Sequence, residues 1–459
     1  MEEDPLRFVA RERRPDDGKR RAIVFAEYFP PYMSSDRRLF HLVSNLQDWS
    51  VSAIVTPPLR VLTKRCEHRL LPYGRSFAGA EKVRKHGGIS ATYLTLPGWL
   101  RRMFERTATL PMAYAASIPL LIARAARLVR DSDPDLCVVG HPSFITGVVG
   151  VAAAKLSGKP VLLDYPDAWT ALAVETSGLH NRAAIAALKN IEATVARAAD
   201  RIVVITDSLA RYVRSMGAHA PMSIVSNGAE LDRFRPARDA RPSKSDTRPF
   251  KVLFAGRLEQ WSGVREMTEL VEEVVKRAGS SVEFHFIGDG GAAIKFQTRL
   301  ARRGLGAHCR FHGYQPYWLM PELIAACDLA LLLFPDTQTT RPSSPVKLFE
   351  YMAMGKPVIA TGLPGVREVV TDGEAIIVDD VRPSPIADHV MRLMASPEEC
   401  ERIGRAAQRL VNDRFGWRHL AGLFEAEMDR AVAVARVPVP AYSGAAAVVA
   451  PSANSASPP

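Results

Sequence analysis

Residues 341–360, RPSSPVKLFEYMAMGKPVIA, set a cation, Lys347, and a carboxylate, Glu350, three positions apart behind a polar, proline-rich run. Ser344 suits an N-cap and Pro345 the first helical position. VKLFEYMAM then reads as a helix, which Gly355 and Pro357 end. The preceding DLALLLF reads as a strand, so the helix starts at the carboxyl edge of a sheet. Its unpaired N–H groups and positive dipole end would suit an anion there. Lys347, in the first turn, opposes that dipole unless an anion meets it. The alternative is that Lys347 and Glu350 merely pair on the helix surface.

Other residues offer chemistry less specifically. Arg257 follows Gly256 in a loop after an apolar run and, taken alone, reads more simply as a surface ion-pair residue. Asp289, in GDGG, reads as turn chemistry. His141, in GHPS, ends a strand where it could reach a cleft, although a loop histidine bonded to its own turn explains it more simply. Cys66, Cys137, Cys309, Cys327 and Cys400 stand far apart, with no zinc-ligand spacing, and read as buried small hydrophobes of a reducing compartment. No D-x-D pair occupies a suitable loop, so neither a metal nor a cofactor is expected.

These residues need a scaffold. The chain has 459 residues, enough for two cores. AIVFAEY, an amphipathic stretch from 37 to 46 and VSAIVTP form a β-α-β opening. Further apolar runs follow at 135–143, 159–169, 200–206 and 222–228, alternating with alanine-rich helical stretches. After the Pro/Arg/Ser/Asp-rich residues 235–249 a second series runs through FKVLFAG, VEFHFIGDGG, DLALLLFP, KPVIATG and EAIIVDD. Apolar strands between helices imply parallel sheets covered on both faces, with ligands at the strands' carboxyl ends. The expected organisation is a charged leader (1–20), a first domain (21–234), a linker (235–249), a second domain (250–416), an amphipathic helix (417–436) packing back on the first domain, and a Pro/Ala/Ser tail (437–459) with no fold assigned.

SSPVKLFEYMAMGKPVIA resembles the donor-binding signature of family 4 of the retaining glycosyltransferases, the group 1 transferases. FAGRLEQWSGV, FIGDGG and SNGAELDRFRP are similar in order and spacing, as are YFPP, DYPDAW and AADRIVVITDSL in the first half. The resemblance spans roughly residues 21–430 and implies a GT-B fold: two Rossmann-like doubly wound domains facing a cleft. It implies transfer of a sugar from a nucleotide diphosphate to a glycan, lipid-linked or small-molecule acceptor, with retention. Arg257 and Lys347, with Gly256 and Ser344, would hold the diphosphate. Glu350 would hold the ribose hydroxyls, and the backbone at His312, Gly313 and Tyr314 the base. Ser35, Asp167 and Trp169, with His141, would line the acceptor side, and Asp167 is the nearest candidate for a nucleophilic carboxylate.

The chain departs from the family pattern at four places. Ser262 stands for a lysine after the phosphate arginine, Pro342 for the first glutamate of a pair, and Pro166 for a histidine. Met33, Ser34 and Ser35 replace a Gly-Gly loop. Two alternatives follow: a nucleotide-sugar epimerase of the same architecture, or a catalytically silent nucleotide-sugar-binding partner. A nicotinamide dehydrogenase is disfavoured, since no G-x-G-x-x-G follows either first strand.

The formal charge of +11 is dispersed, without any nucleic-acid-binding pattern, and no stretch is apolar enough to span a bilayer. A cytoplasmic protein is expected. Residues 97–112 combine Trp99, Leu100, Met103 and Phe104 with Arg101, Arg102 and Arg106, as an interfacial helix on an anionic membrane would, with Lys64, Arg65 and Arg69 reinforcing it. The alternative is a core-packed segment with a solvated arginine face.

Overall fold

The computed structural model describes residues 18–29, 34–57, 82–96, 110–140, 144–236 and 248–435, with the backbone alone at 34–36, 110–116 and 434–435. His141, Cys66, residues 60–75 and 97–109, most of the linker, the leader up to residue 17 and the tail from 436 lie outside the described residues, as does the side chain of Ser35.

Two sheets form, each from the apolar runs read in the sequence. The first holds β1 (Arg20–Ala26), β2 (Trp49–Val55), β3 (Lys82–His86), β4 (Ile89–Tyr93), β5 (Leu136–Gly140), β6 (Val161–Tyr165), β7 (Arg201–Val204) and β8 (Met222–Ile224). Their order is β3-β4-β2-β1-β5-β6-β7-β8, parallel throughout except for the β3–β4 hairpin. That hairpin was not anticipated, because KVRKH carries no apolar run. Its turn is Gly87–Gly88, both at positive φ, which is the backbone a two-residue hairpin turn demands.

The second sheet holds β9 (Phe250–Ala255), β10 (Val282–Ile287), β11 (Cys309–Gly313), β12 (Leu329–Leu332), β13 (Val358–Thr361) and β14 (Ile376–Val378). All its pairings are parallel, in the order β11-β10-β9-β12-β13-β14. The strand order therefore reverses between β9 and β12. A ligand crevice opens at such a switch point, outside the carboxyl ends of the strands.

The two sheets turn these ends toward each other. Thr206, just after β7, caps its own helix by accepting from Leu209 N (3.1 Å) and donates to the Pro342 carbonyl beyond β12 (2.8 Å). Glu368 of the second domain accepts from Asp207 N (2.5 Å) and Ser208 N (2.9 Å), placing a carboxylate on the positive end of the first-domain helix Asp207–Ser215.

The helix Trp417–Ala435 crosses back as expected. Trp417, Leu420, Phe424, Met428 and Ala431, at helical spacing, are buried together with Leu42, Trp49 and Leu162 of the first domain. Glu425 accepts from the backbone of Gln47 and Asp48, and Asp429 pairs with Arg20. Arg20 is the first residue of β1.

Candidate active site

The helix that follows β12 spans Val346–Ala353. Its N-cap is Pro345, in extended backbone, and not Ser344. The sequence reading shifts by one residue because Pro345 keeps the φ of −65° natural to its ring while adopting a ψ of 136° that starts no helical turn. Ser344 is thereby released from capping. Its hydroxyl is buried without a hydrogen-bond partner, and its carbonyl accepts from Asn227 Nδ2 at 2.7 Å. Gly355 takes the left-handed conformation expected just past the helix end, with φ 65°.

Tyr351 fastens this helix to the end of β9, its hydroxyl accepting from Ala255 N (2.9 Å) and donating to Ala255 O (3.2 Å). The tie brings Lys347 against Gly256. A Cβ on Gly256 would lie 2.4 Å from Lys347 Nζ, and the backbone there, at φ 148°, also favours glycine. The ammonium sits between the rings of Phe254 (4.6 Å) and Phe334 (4.8 Å), and burial lowers its pKa to about 8 although Glu350 opposes the shift.

Glu350 is buried and does not form a solvent-exposed pair with Lys347. Its Oε1 is buried with no partner in the protein. Burial raises its pKa to about 7; the charges of Arg37 and Lys347 and the neighbouring Tyr317 oppose that rise.

Arg257 occupies the loop directly after β9, about one-third exposed (38%) and paired with Glu259. Glu259 also accepts from Gly291 N (3.2 Å) and, through its backbone, exchanges hydrogen bonds with the Ser262 hydroxyl. Ser262 is therefore a buried cap of the turn Gln260–Ser262. Pro342 stands in the contact with Thr206. Gly313 ends β11 at φ 61°, with Gly288 N donating to its carbonyl (2.7 Å), and Tyr314 beside it is exposed.

On the first-domain side, Arg38 is almost fully buried and forks onto Asp164 of β6, with Nε 3.1 Å and Nη2 3.0 Å from Oδ1. Its Nη1 donates to Ser226 O (2.7 Å) and Asn227 Oδ1 (3.3 Å). Asp167 follows β6 beside this cluster. Burial raises its pKa to about 7, against the pull of Arg38 and with reinforcement from Asp164. Trp169 opens the helix Trp169–Ser177, whose N-terminus is held by the buried Glu192 accepting from Trp169 N (3.0 Å) and Thr170 N (3.2 Å).

Two family models match in tandem: "Glycosyl transferase 4-like domain" over residues 36–228 and "Glycosyl transferases group 1" over residues 237–410. Together the two matches support a glycosyltransferase of the group 1 type. The 2-deoxystreptamine glucosyltransferase of Streptomyces kanamyceticus is 26% identical to it over 77% of this chain and 92% of the relative. The alpha-D-kanosaminyltransferase of the same organism is 29% identical over 47% of this chain and 56% of the relative. Among solved structures, sucrose-phosphate synthase from Thermosynechococcus elongatus superposes with a TM-score of 0.69 at 15% identity, covering 90% of this chain and 99% of that one. Anabaena Alr3699/HepE in complex with UDP and glucose does so with 0.64 at 17% identity, covering 89% and 99%. These likenesses establish the GT-B fold.

This glycosyltransferase thus gathers Gly256, Arg257, Ser344, Lys347 and Glu350 around the β9–β12 switch point, with Gly313 and Tyr314 at the end of β11. Asp167 and Trp169 sit at the opposite sheet's edge. Sequence reasoning missed Arg37, Arg38, Asp164, Glu192, Asn227, Tyr317 and Tyr351. Each acts through a partner distant in sequence, and only the family-like SSPVKLFEYMAMGKPVIA, DYPDAW and SNG segments pointed near some of them.

Proposed function

We propose that this glycosyltransferase moves a sugar from a nucleoside-diphosphate sugar to an acceptor, with retention of configuration and without a metal ion. The observation that carries the reading is the pair of buried, unpartnered atoms Ser344 Oγ and Glu350 Oε1 on either side of Lys347, at the crevice of a Rossmann-ordered sheet. Buried polar atoms are rarely left unpaired, and a ligand offering phosphate oxygens at one end and ribose hydroxyls at the other supplies partners for both. Alr3699/HepE, which shares the fold, is known in complex with UDP-glucose.

In this reading Arg257 leaves Glu259 for the diphosphate, where a guanidinium fork suits two phosphate oxygens. Lys347 and the helix start at Val346 complete the positive wall. The bond from the anomeric carbon to the diphosphate oxygen breaks and its electron pair stays on that oxygen, where these groups stabilise the developing charge. The acceptor hydroxyl bonds to the same face of the sugar, and its proton passes to the departing phosphate oxygen. Fixed cations thus take the part a divalent ion would otherwise play. Asp167 and Trp169 face the acceptor, a glycan, lipid-linked or small-molecule alcohol.

A thermal-shift panel of UDP-, GDP-, ADP- and dTDP-sugars tests the reading. A cognate donor well above its dissociation constant should stabilise the protein by a few kcal/mol, about 2.7 at a hundredfold excess. No shift with any of them would overturn it.

A further inference from the structure

Trp261 stands in the turn Gln260–Ser262 that follows Arg257, and its ring stacks on that of Phe334, with 6.1 Å between centroids and 24° between planes. The Phe334 ring also flanks the Lys347 ammonium at 4.8 Å. The indole is partly buried and its Nε1 fully so, with no hydrogen-bond partner among the described residues. A buried indole N–H ordinarily finds an acceptor, and it can only donate. The turn itself supplies none. The Ser262 hydroxyl and the Glu259 backbone satisfy each other, and the Glu259 carboxylate is taken by Arg257 and Gly291 N.

The sheet order says which part of a donor could reach this N–H. β11 and β12 lie on opposite sides of β9 in the order β11-β10-β9-β12. Gly313 and Tyr314, the proposed base segment, end β11, whereas Phe334 lies just beyond β12. Gly263, which closes the Trp261 turn, is seated on that same β12 end, since a Cβ there would lie 3.2 Å from the Leu333 carbonyl and 3.4 Å from Pro335 Cδ. A donor with its base at β11 and its diphosphate at Gly256, Arg257 and Lys347 would therefore extend its sugar toward β12, where Trp261 stands. The first-domain helix Trp169–Ser177 lies against the same turn, so this end of the crevice is where the acceptor domain closes on the donor domain.

We propose that Trp261 is a specificity-determining residue for the transferred sugar: its Nε1–H donates to an oxygen of the sugar beyond the diphosphate, while stacking on Phe334 fixes the direction of that bond. This rests on the reading of Gly256, Arg257 and Lys347 as the diphosphate site and adds a sugar contact from a side chain that carries no charge. Such a contact discriminates because a sugar without the matching oxygen leaves the buried N–H unpaired.

Trp261→Phe keeps an aromatic ring against Phe334 and removes the N–H. The nucleotide sugar that gives the largest thermal shift among UDP-, GDP-, ADP- and dTDP-sugars is titrated calorimetrically into the full-length wild type and variant, alongside its own free nucleoside diphosphate. Affinity of the variant for the nucleotide sugar should fall about threefold to tenfold, the net worth of one hydrogen bond. Affinity for the free diphosphate should be unchanged, so that the ratio of the two falls by the same factor. A Trp261→Phe protein with the wild-type ratio, whether both affinities hold or both fall together, overturns the proposal and leaves the diphosphate reading standing. A wild type that no nucleotide sugar stabilises, or Arg257→Ala and Lys347→Ala proteins that bind the free diphosphate as wild type does, overturn the diphosphate reading and this proposal with it.

Discussion

Asn227 donates from its side-chain amide to the carbonyl of Ser344 over 2.7 Å, joining the segment that leaves the first domain to the loop that opens the donor helix. The other end of the same amide faces Arg38, which is itself locked onto Asp164. A chain of buried polar groups thus runs from β6 of one domain to the loop before the helix Val346–Ala353 of the other.

Breaking that chain should cost unequally along its length. Arg38→Ala leaves the Asp164 carboxylate buried and unpaired and should destabilise by about 3–5 kcal/mol, whereas the double variant Arg38→Met/Asp164→Leu should cost much less. Asn227→Ala should cost about 1–3 kcal/mol and raise the KM for donor, because the Ser344 carbonyl loses its partner. Urea denaturation and donor kinetics check all three. Equal destabilisation by the single and double changes at Arg38 and Asp164 would refute the account of the pair.

The two titrations at the donor site fix a pH window. Burial disfavours the charged form of both groups, raising Glu350 to about 7 and lowering Lys347 to about 8. In the proposed reading the active form has Glu350 ionised and Lys347 protonated. kcat/KM for donor should therefore rise as pH increases through about 7 and fall as it passes about 8, a narrow bell reporting free-enzyme groups. A flat profile between about pH 6 and pH 9 contradicts the assignment.

Gly256→Ala should act through Lys347. The new methyl would fall 2.4 Å from Nζ, so the ammonium must leave its place between Phe254 and Phe334. Donor turnover should drop at least about tenfold, the lower range for losing one transition-state contact. Circular dichroism should show the fold retained. Wild-type turnover would mean that Lys347 is not needed where it stands.

Glu350→Gln should weaken binding of the donor and of the free nucleoside diphosphate alike, by about 1–3 kcal/mol, the range for a hydrogen bond to a charged group. Calorimetry with both ligands decides it. Equal affinity of variant and wild type for the nucleotide would remove the ribose role.

The architecture was largely legible because apolar strands alternating with helices leave a strong periodic trace: five of the six strands of the second sheet, the β-α-β opening and the returning helix from Trp417 lie where the pattern put them. The β3–β4 hairpin was not, since KVRKH on the sheet edge carries polar residues on both faces. At the site, Lys347 and Glu350 announced themselves by standing in a helix that starts at a sheet edge. The contacts that hold them did not. Tyr351 bonds to Ala255 across 96 residues and Asn227 to Ser344 across 117, and nothing local marks either side chain. Ser262 and Pro342 read as lost functional positions, whereas the structure gives each a task, one capping a turn and one meeting Thr206 across the cleft.

The central claim is that Arg257 and Lys347 stabilise the departing diphosphate. The most direct measurement is the initial rate of nucleoside-diphosphate release from the cognate nucleotide sugar by Arg257→Ala and Lys347→Ala proteins, at saturating donor and with folding verified. Each rate should fall at least about tenfold relative to wild type, the scale expected for a charged contact made in the transition state. Wild-type rates in both variants would contradict the account.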